Sequence, residues 1–498
     1  MSYILGIDLG TSSVKTLLLD EGGRQVSLTQ QNYTFEMPQP LWAEQNPEDW
    51  WSATCLTIRK SIEGLSASDI KGIGFSGQMH AFLPLDSASR PIGNCIIWAD
   101  RRSFKEVDDV YSILGRELIS RTAHSPVGTG FLVPTMLWVK RHQRDVYERI
   151  AHLVLPKDYI RLKLTGEIGT DISDASATLA FDVDRGCWSD EIITRMGFPR
   201  PAFPYVGMPS EIAGYVTHQA AKETGLKEGT PVVFGAADQV MQAIGNGIYS
   251  PGKISVTIGT GGQVLTVLHK PIIDTRLVSH CFNFTSEKLW YFLGASLSGG
   301  YSLRWFRDIL GNVDSYQQID EQAAEVPVGS DRLVFLPYLS GERTPYMDSY
   351  ARGVFFGLSN NHTKANMYRA IMEGVTFSMK DCLDVLLSNI DYDFDYIIAS
   401  GKSSSSPFWV QMEADVFNKP IIVSSMKEQA ATGAAMTAGV GVGLFSSYEE
   451  VCSRFVSFDS RPIMPIPANV EKYTRILEVY RELYQVNSAL MRKISHFN

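Results

Sequence analysis

ILGIDLGTSSVKTLLLD occupies residues 4–20, and KISVTIGTGGQVLTVL repeats its plan at residues 253–268. Each copy is an apolar strand, a Gly-Thr turn with small residues, and a second apolar strand, the pattern of a tight β-hairpin. Gly10-Thr11 and Gly259-Thr260 stand 249 residues apart, and Asp8 of the first copy is replaced by Thr257 in the second. A hairpin written twice at that distance divides the chain into two related halves, only the first of which sets a carboxylate before its turn.

The segments around the hairpins support this division. At 498 residues the chain exceeds one ordinary core, and roughly 100 to 200 residues per domain allows two or three domains. Asn46-Pro47-Glu48-Asp49 reads as a helix start, with Pro in the first turn and acids near the positive end of the dipole. KGIGFSG from Lys71 reads as a strand, and residues 133–150 as one amphipathic helix. After the second hairpin come FDYIIAS as a strand, PFWVQMEADVFN as a helix, PIIVSS as a strand and EQAATGAAMTAGVGVGLF as a helix of small residues, before a helical C-terminal end. The alternation is that of an α/β protein. Gly245-Asn246-Gly247 and Ser250-Pro251-Gly252 mark the expected boundary, giving units of 1–247 and 248–498 joined by a short hinge.

Composition narrows the function. Hydrophobic residues make up 44% and charged residues 20%, as in ordinary globular proteins. A formal net charge of −9 without a basic run argues against a nucleic-acid partner. Cys55, Cys95, Cys187, Cys281, Cys382 and Cys452 lack CxxC or Cys/His spacing and read as reduced core thiols without zinc. Asp8 interrupts the first apolar stretch, so no signal peptide is expected, and no run of about 18 apolar residues is present to span a membrane. The expected location is the cytoplasm, with no membrane partner.

Gly-Thr turns can aim successive backbone N–H groups at phosphate oxygens. One such turn is more often an ordinary hairpin, and two at the heads of two halves strengthen the phosphate reading. Asp8, in an apolar strand, requires a salt bridge or a metal. Asp238 lies between the strand PVVFGA and the helical QVMQAIG, where it is either a helix cap or a general base. His80 ends Ser76-Gly77-Gln78-Met79-His80, where a lone histidine is more often structural than a ligand contact. Trp98, Asp100 and Arg102 fit a local salt bridge under a core tryptophan equally with a binding role.

IDLGTSSVK, GFSGQMHA, WADRR, LPKDYIRLKLTGEIGTDISDAS, GAADQ, IGTGG, LPYLSGERTPYMDSYARGVFFGL and EQAATGAAMTAG, in this order across residues 4–445, resemble the FGGY carbohydrate kinases, most closely the xylulokinase branch. The resemblance implies two ribonuclease-H-like (actin/hexokinase-type) domains with a cleft between them. Sugar would bind on the N-terminal side and ATP on the C-terminal side, with Mg²⁺. The reaction it implies is transfer of a phosphoryl group to D-xylulose, giving D-xylulose 5-phosphate. A kinase for another ketose, a polyol or gluconate is the alternative within the class, and a catalytically weak sugar sensor the alternative outside it. By the same resemblance Asp238 is the base and Asp8 places the metal. Gln78, Met79, His80, Trp98, Asp238 and Gln239 fall on the sugar. Thr11, Ser12, Gly259, Thr260, Gly261, Gly401, Lys402, Ser403 and Ser404 fall on the nucleotide. Arg343, Thr344, Asp348 and Arg352 match a segment read as scaffold, and a homodimer is left open.

Three departures from the family pattern stand out. GKSS replaces the usual glycine loop at 401–404, Ala81 replaces a glycine, and Val240, Met241 and Gln242 are bulkier than usual, which is expected to reshape the sugar site. Gly401-Lys402-Ser403 is not a Walker A motif, because Tyr396 stands where that motif needs glycine.

Overall fold

The computed structural model describes residues 2–311, 313–390, 392–459, 461–495 and 497. The strands that matter here are β1 (Tyr3–Leu9), β2 (Ser13–Asp20), β3 (Gln25–Asn32), β4 (Ile70–Gly77), β5 (Ile212–Tyr215), β6 (Pro231–Val233), β7 (Ala236–Ala237), β8 (Ile254–Ile258), β9 (Gly262–Leu268), β10 (His280–Asn283), β11 (Trp290–Ser296), β12 (Ile397–Gly401) and β13 (Ile421–Val423). The helices are α1 (Pro47–Ser61), α2 (Leu132–His142), α3 (Arg144–Tyr147), α4 (Pro156–Thr165), α5 (Ile172–Ser176), α6 (Asp238–Gly245), α7 (Gly300–Ile309), α8 (Pro407–Phe417), α9 (Gln429–Gly441), α10 (Tyr448–Phe455) and α11 (Pro467–Ile494).

Both hairpins form as read. β1 pairs antiparallel with β2, and β8 with β9. The first sheet runs β5-β6-β4-β1-β2-β3 with β7 on the end of β4, and the second runs β10-β11-β9-β8-β12-β13. In each, three antiparallel strands lie side by side (β1-β2-β3 and β8-β9-β11, with β10 added outside β11), and a further strand, reached through helices, lies parallel on the free side of the first, followed by another. The strand order expected of a ribonuclease-H-like domain is therefore present twice.

β1 is buried along nearly its whole length except at Asp8, so both faces of its sheet need cover. α1 supplies one cover: Asn46 caps it through Glu48 N–H, and its Trp50 is fully buried. The other cover comes from beyond residue 248. α9 lies across β1 and β4 so closely that a Cβ at Gly6 would stand 2.0 Å from the Ala431 carbonyl oxygen, and one at Gly74 2.1 Å from that of Ala434. α10 adds Val451, Cys452 and Phe455 to the core that holds Ile4, Leu17 and Leu19. A cut at residue 247 separates the two sheets but not their cores.

Two expectations change. The helix read over 133–150 breaks at Gln143, whose φ of −135° and ψ of 62° leave the helical region and separate α2 from α3. Cys187 is exposed rather than a core thiol, because it lies in a short two-stranded hairpin with Phe181–Asp182. Among the described residues no helix is long and apolar enough to cross a membrane.

Candidate functional site

The two hairpins bring equivalent positions to the ends of their sheets. Asp8 is half-buried as a residue, and its in-register neighbour on β4, Ser76, donates a hydrogen bond of 2.7 Å to its carboxylate. Opposite it on β2, Lys15 forms an ion pair of 2.6 Å with Glu428, just before α9. Among the described residues Asp8 makes no ion pair, so a buried salt bridge does not account for it; burial raises its pKa, against the Ser76 hydrogen bond and the Lys15 charge. Thr257 occupies the same register on β8, its hydroxyl 2.6 Å from that of Ser400 on β12.

In the first turn Gly10 N–H donates to the Ser13 carbonyl (3.0 Å), and Tyr33 braces it through a hydroxyl donated to the Gly10 carbonyl. Thr11, expected on the nucleotide, has a committed hydroxyl: it donates to Gln78 Oε1 (3.2 Å) and accepts from Trp98 Nε1 (2.9 Å). Gln45 closes this network, donating to the Thr11 carbonyl and accepting from Gln78 Nε2 (2.8 Å). The structure thus joins Thr11 to the residues expected on the sugar, while Ser12 stays exposed. Gln45 was not a candidate, and no local pattern marks it.

In the second turn Gly259 N–H donates to the Gly261 carbonyl (2.9 Å), and Thr260 is exposed. Gly300 N–H donates to the Gly259 carbonyl (2.8 Å) and Tyr301 N–H to that of Thr260 (3.1 Å), so α7 begins against this turn. Its Gly299-Gly300 pair, opening a helix, is the local signal in the sequence that marks this contact. Nearby, Gly401 ends β12 with φ of 85°, a conformation that favours glycine. Lys402 is exposed. Ser403 turns inward to donate to Glu413 Oε1 on α8 (3.0 Å), and Ser404 donates to the Gly401 carbonyl (2.7 Å). Ser404 thus closes the loop on itself, and Ser403 ties it to α8.

Asp238 is the first residue of α6. Ala237 holds the cap position and makes no side-chain cap, so capping is not what the carboxylate does. Gln239 Nε2 donates to it at 3.2 Å. Burial, then the neighbouring Asp8 charge, pushes its pKa up to about 7. His80 has a φ of 71°, stacks on Phe131 at 3.9 Å and places Nδ1 2.9 Å from the Ala177 carbonyl. Nδ1 must then carry the proton and Nε2 is an acceptor. Burial drives its pKa down to about 3, keeping it neutral. Met79 is buried, with the Tyr291 hydroxyl 4.0 Å from its sulfur.

The remaining candidates separate. Asp100 and Arg102 form a buried pair at 2.8 Å, with Arg102 over the Trp42 ring and on Glu44, whereas Trp98 is 39% exposed instead of lying in a core. Asp348 holds Tyr350 N–H and the Tyr484 hydroxyl, and Arg352 holds the Ser349 and Ala351 carbonyls, as scaffold. Arg343 differs: its charge acts on His80 and His280, and among the described residues it forms no ion pair. Val240 and Met241 are fully buried, Met241 against Gly433 and Thr437 of α9, so these two bulky residues fill a core rather than reshape a pocket.

The donor set fits Mg²⁺, which is commonly held by one or two carboxylates together with waters and substrate phosphates. Asp8 and Asp238 interact electrostatically, and neither has an ion-pair partner among the described residues. No cluster of three or more His, Cys, Asp or Glu residues there forms an all-protein cage.

Residues 3–245 match the N-terminal domain, and residues 254–442 the C-terminal domain, of the FGGY family of carbohydrate kinases. The chain is 36% identical to the xylulose kinase of Bacillus subtilis (strain 168), over 98% of this chain and 99% of that protein. Its fold matches ligand-bound xylulose kinase from Lactobacillus acidophilus with a TM-score of 0.95 at 27% identity, covering 99% of this chain and 100% of the other. Gluconate kinase from the same organism matches with a TM-score of 0.94 at 27% identity, covering 99% of each chain.

Proposed function

The chain belongs to the FGGY family of carbohydrate kinases, and on that premise we propose that it transfers the γ-phosphoryl group of ATP to the 5-hydroxyl of D-xylulose. The observation that carries the mechanism is Asp238, a carboxyl held at a pKa of about 7 at the mouth of α6. A base with that pKa is half ionised near neutrality, where it accepts the proton of the attacking hydroxyl most usefully. His80, neutral and fixed through Nδ1, offers Nε2 as a hydrogen-bond acceptor to a sugar hydroxyl. Gln78, Trp98 and Gln239 complete the sugar side, and buried Met79 shapes its wall.

The turn at Gly259–Gly261, with Gly401 and exposed Lys402, is assigned to the nucleotide, and Ser12 to the phosphates from the opposite side. Asp8 would hold Mg²⁺ through its waters, an ion that neutralises phosphate charge when bound, while Asp238 is left free to take the proton. On this assignment residues 1–247 carry sugar and base and 248–498 carry nucleotide, while α9 and α10 belong structurally to the first sheet. The exclusion of water from the cleft favours the sugar hydroxyl as acceptor.

A second reading, a gluconate kinase, is favoured by Arg343, a guanidinium without an ion-pair partner among the described residues beside His80, and by the likeness to a gluconate kinase. The deciding experiment supplies ATP and Mg²⁺ with D-xylulose, other pentuloses, hexuloses, pentitols and gluconate, and measures ADP and sugar phosphate together. Highest kcat/KM with D-xylulose is expected. A preference for gluconate overturns the substrate, and no phosphate transfer to any of them overturns the kinase reading.

A further inference from the structure

Beneath the site lies a buried charged cluster that the reaction as described does not use. Lys157, at the start of α4, is fully buried with its ammonium 2.7 Å from Asp158, 2.8 Å from Asp171 and 3.0 Å from Asp174, each equally buried. The Asp158 contact is a hydrogen bond and the other two are ion pairs by distance, and Arg161 adds a contact to Asp158 at 3.3 Å. Such clusters are expensive to bury and contribute mainly by fixing geometry.

This one is wired to α5. Asp171 precedes that helix and caps it, accepting from Ser173 N–H (2.8 Å) and from the Ser173 hydroxyl (2.5 Å). The same Ser173 oxygen accepts from Ala237 N–H at 3.0 Å, and the next residue is Asp238. At the other end of α5 the Ala177 carbonyl receives His80 Nδ1–H. Ser176 Oγ, also on α5, accepts from Asn283 N–H of the second sheet at 3.1 Å. One short helix, seated on a buried ion cluster, therefore holds the backbone before Asp238 and the ring of His80.

We infer that Ser173 is a positioning residue for phosphoryl transfer: through Ala237 N–H it fixes the start of α6 and so the placement of Asp238 relative to a sugar held at His80. Its hydroxyl suits this role because it donates to Asp171 and accepts from Ala237 simultaneously, whereas an alanine leaves the buried Ala237 N–H without its acceptor and the Asp171 oxygen with only the backbone N–H of residue 173. Small misplacements of a reacting group lower turnover while leaving substrate binding intact. The inference rests on Asp238 acting as the base.

The test compares Ser173→Ala, Ser173→Cys and Asp238→Asn with the wild type in kcat, sugar KM and thermal midpoint, normalised to folded protein. For Ser173→Ala the expected result is a kcat loss of about 10-fold or more with sugar KM within about 2-fold, because His80 keeps its own anchor on Ala177. Ser173→Cys, which retains a weaker acceptor, is expected to fall between alanine and wild type. It carries the same decision if the alanine variant does not fold. Wild-type kcat in the folded variant overturns the inference even if the thermal midpoint drops, since that marks a purely structural serine. A raised KM at unchanged kcat overturns it as well. If Asp238→Asn retains full turnover, the base assignment itself has failed; if that variant is inactive while the Ser173 variants are normal, only the positioning role is lost.

Discussion

Asp8 beside Ser76 and Thr257 beside Ser400 occupy matching places in two sheets of the same strand order, each pair formed across a parallel ladder. The Gly-Thr turns that follow are also alike. What differs is charge: the first pair holds a carboxylate with Lys15 opposite it, and the second holds two hydroxyls with Gln263 opposite. Asp238 stands in the first half too, so both carboxylates assigned to the reaction belong to one side. On the proposed assignment the duplicated backbone meets phosphate on both sides, whereas proton transfer and metal placement need fixed negative charge only where the acceptor hydroxyl arrives. A mirror-image second carboxylate would add repulsion against the phosphates and no chemistry.

The largest expected effect comes from removing the charge that makes the halves unequal in chemistry. Asp238→Asn should lower kcat by at least about 10²-fold at near-normal sugar binding. In the wild type, kcat/KM should fall as pH drops through about 7, because the base must be ionised. Stability runs the other way. The folded pKa lies above the ordinary 3.8, so Asp238's contribution is fully present below that value and is lost as pH rises through about 7. Thermal melts should therefore show the asparagine variant gaining on the wild type between pH 5 and pH 8; a constant gap would mean the carboxyl is not perturbed.

Next, Asp8→Thr makes the first hairpin resemble the second. Activity should fall about 10- to 100-fold and the Mg²⁺ titration shift to higher concentration. An unchanged titration at full activity would reduce Asp8 to a strand residue. The converse exchange, Thr257→Asp, should restore nothing: it should cost about 1–3 kcal/mol of stability, read from denaturant melts, and raise the KM for ATP. Improved nucleotide binding there would break the proposed division of labour.

The smallest effects concern the loop that lacks its glycines. Lys402→Gly should raise the KM for ATP a few-fold if the exposed ammonium meets phosphate. Ser403→Gly should mainly lower stability by about 1–3 kcal/mol, because it removes the hydrogen bond to buried Glu413. A lower ATP KM from Ser403→Gly alone would show instead that the serine crowds the nucleotide.

The two hairpins were legible because each strand is apolar on both sides of a short Gly-Thr turn, a strictly local signal. Asn46 and Pro47 announced α1 in the same way. Gln143 gave no warning, since neither glycine nor proline marks the end of α2. The hydrogen bond of Ser403 to Glu413 was not legible, because its partner lies on the following helix. The site itself was reached through motif resemblance. Spacing alone left Asp238 between cap and base, and the register of Asp8 with Ser76 required a ladder that no single segment encodes. Most opaque were contacts between distant segments: Ser173 with Ala237 across 64 residues, and Lys15 with Glu428 across 413. Neither partner carries any mark of the other.

The placement of α9 on β1 and β4 has a consequence for how the chain is made. A ribosome releases the first sheet early, but its second face finds its cover only after residues 429–455 emerge, on the order of ten seconds or more later at ordinary elongation rates. Until then the glycine-lined face of β1 and β4 is open. The nascent first half is thus committed to waiting, and stop codons anywhere before residue 429 should yield fragments that chaperones and proteases recognise, however complete their first sheet.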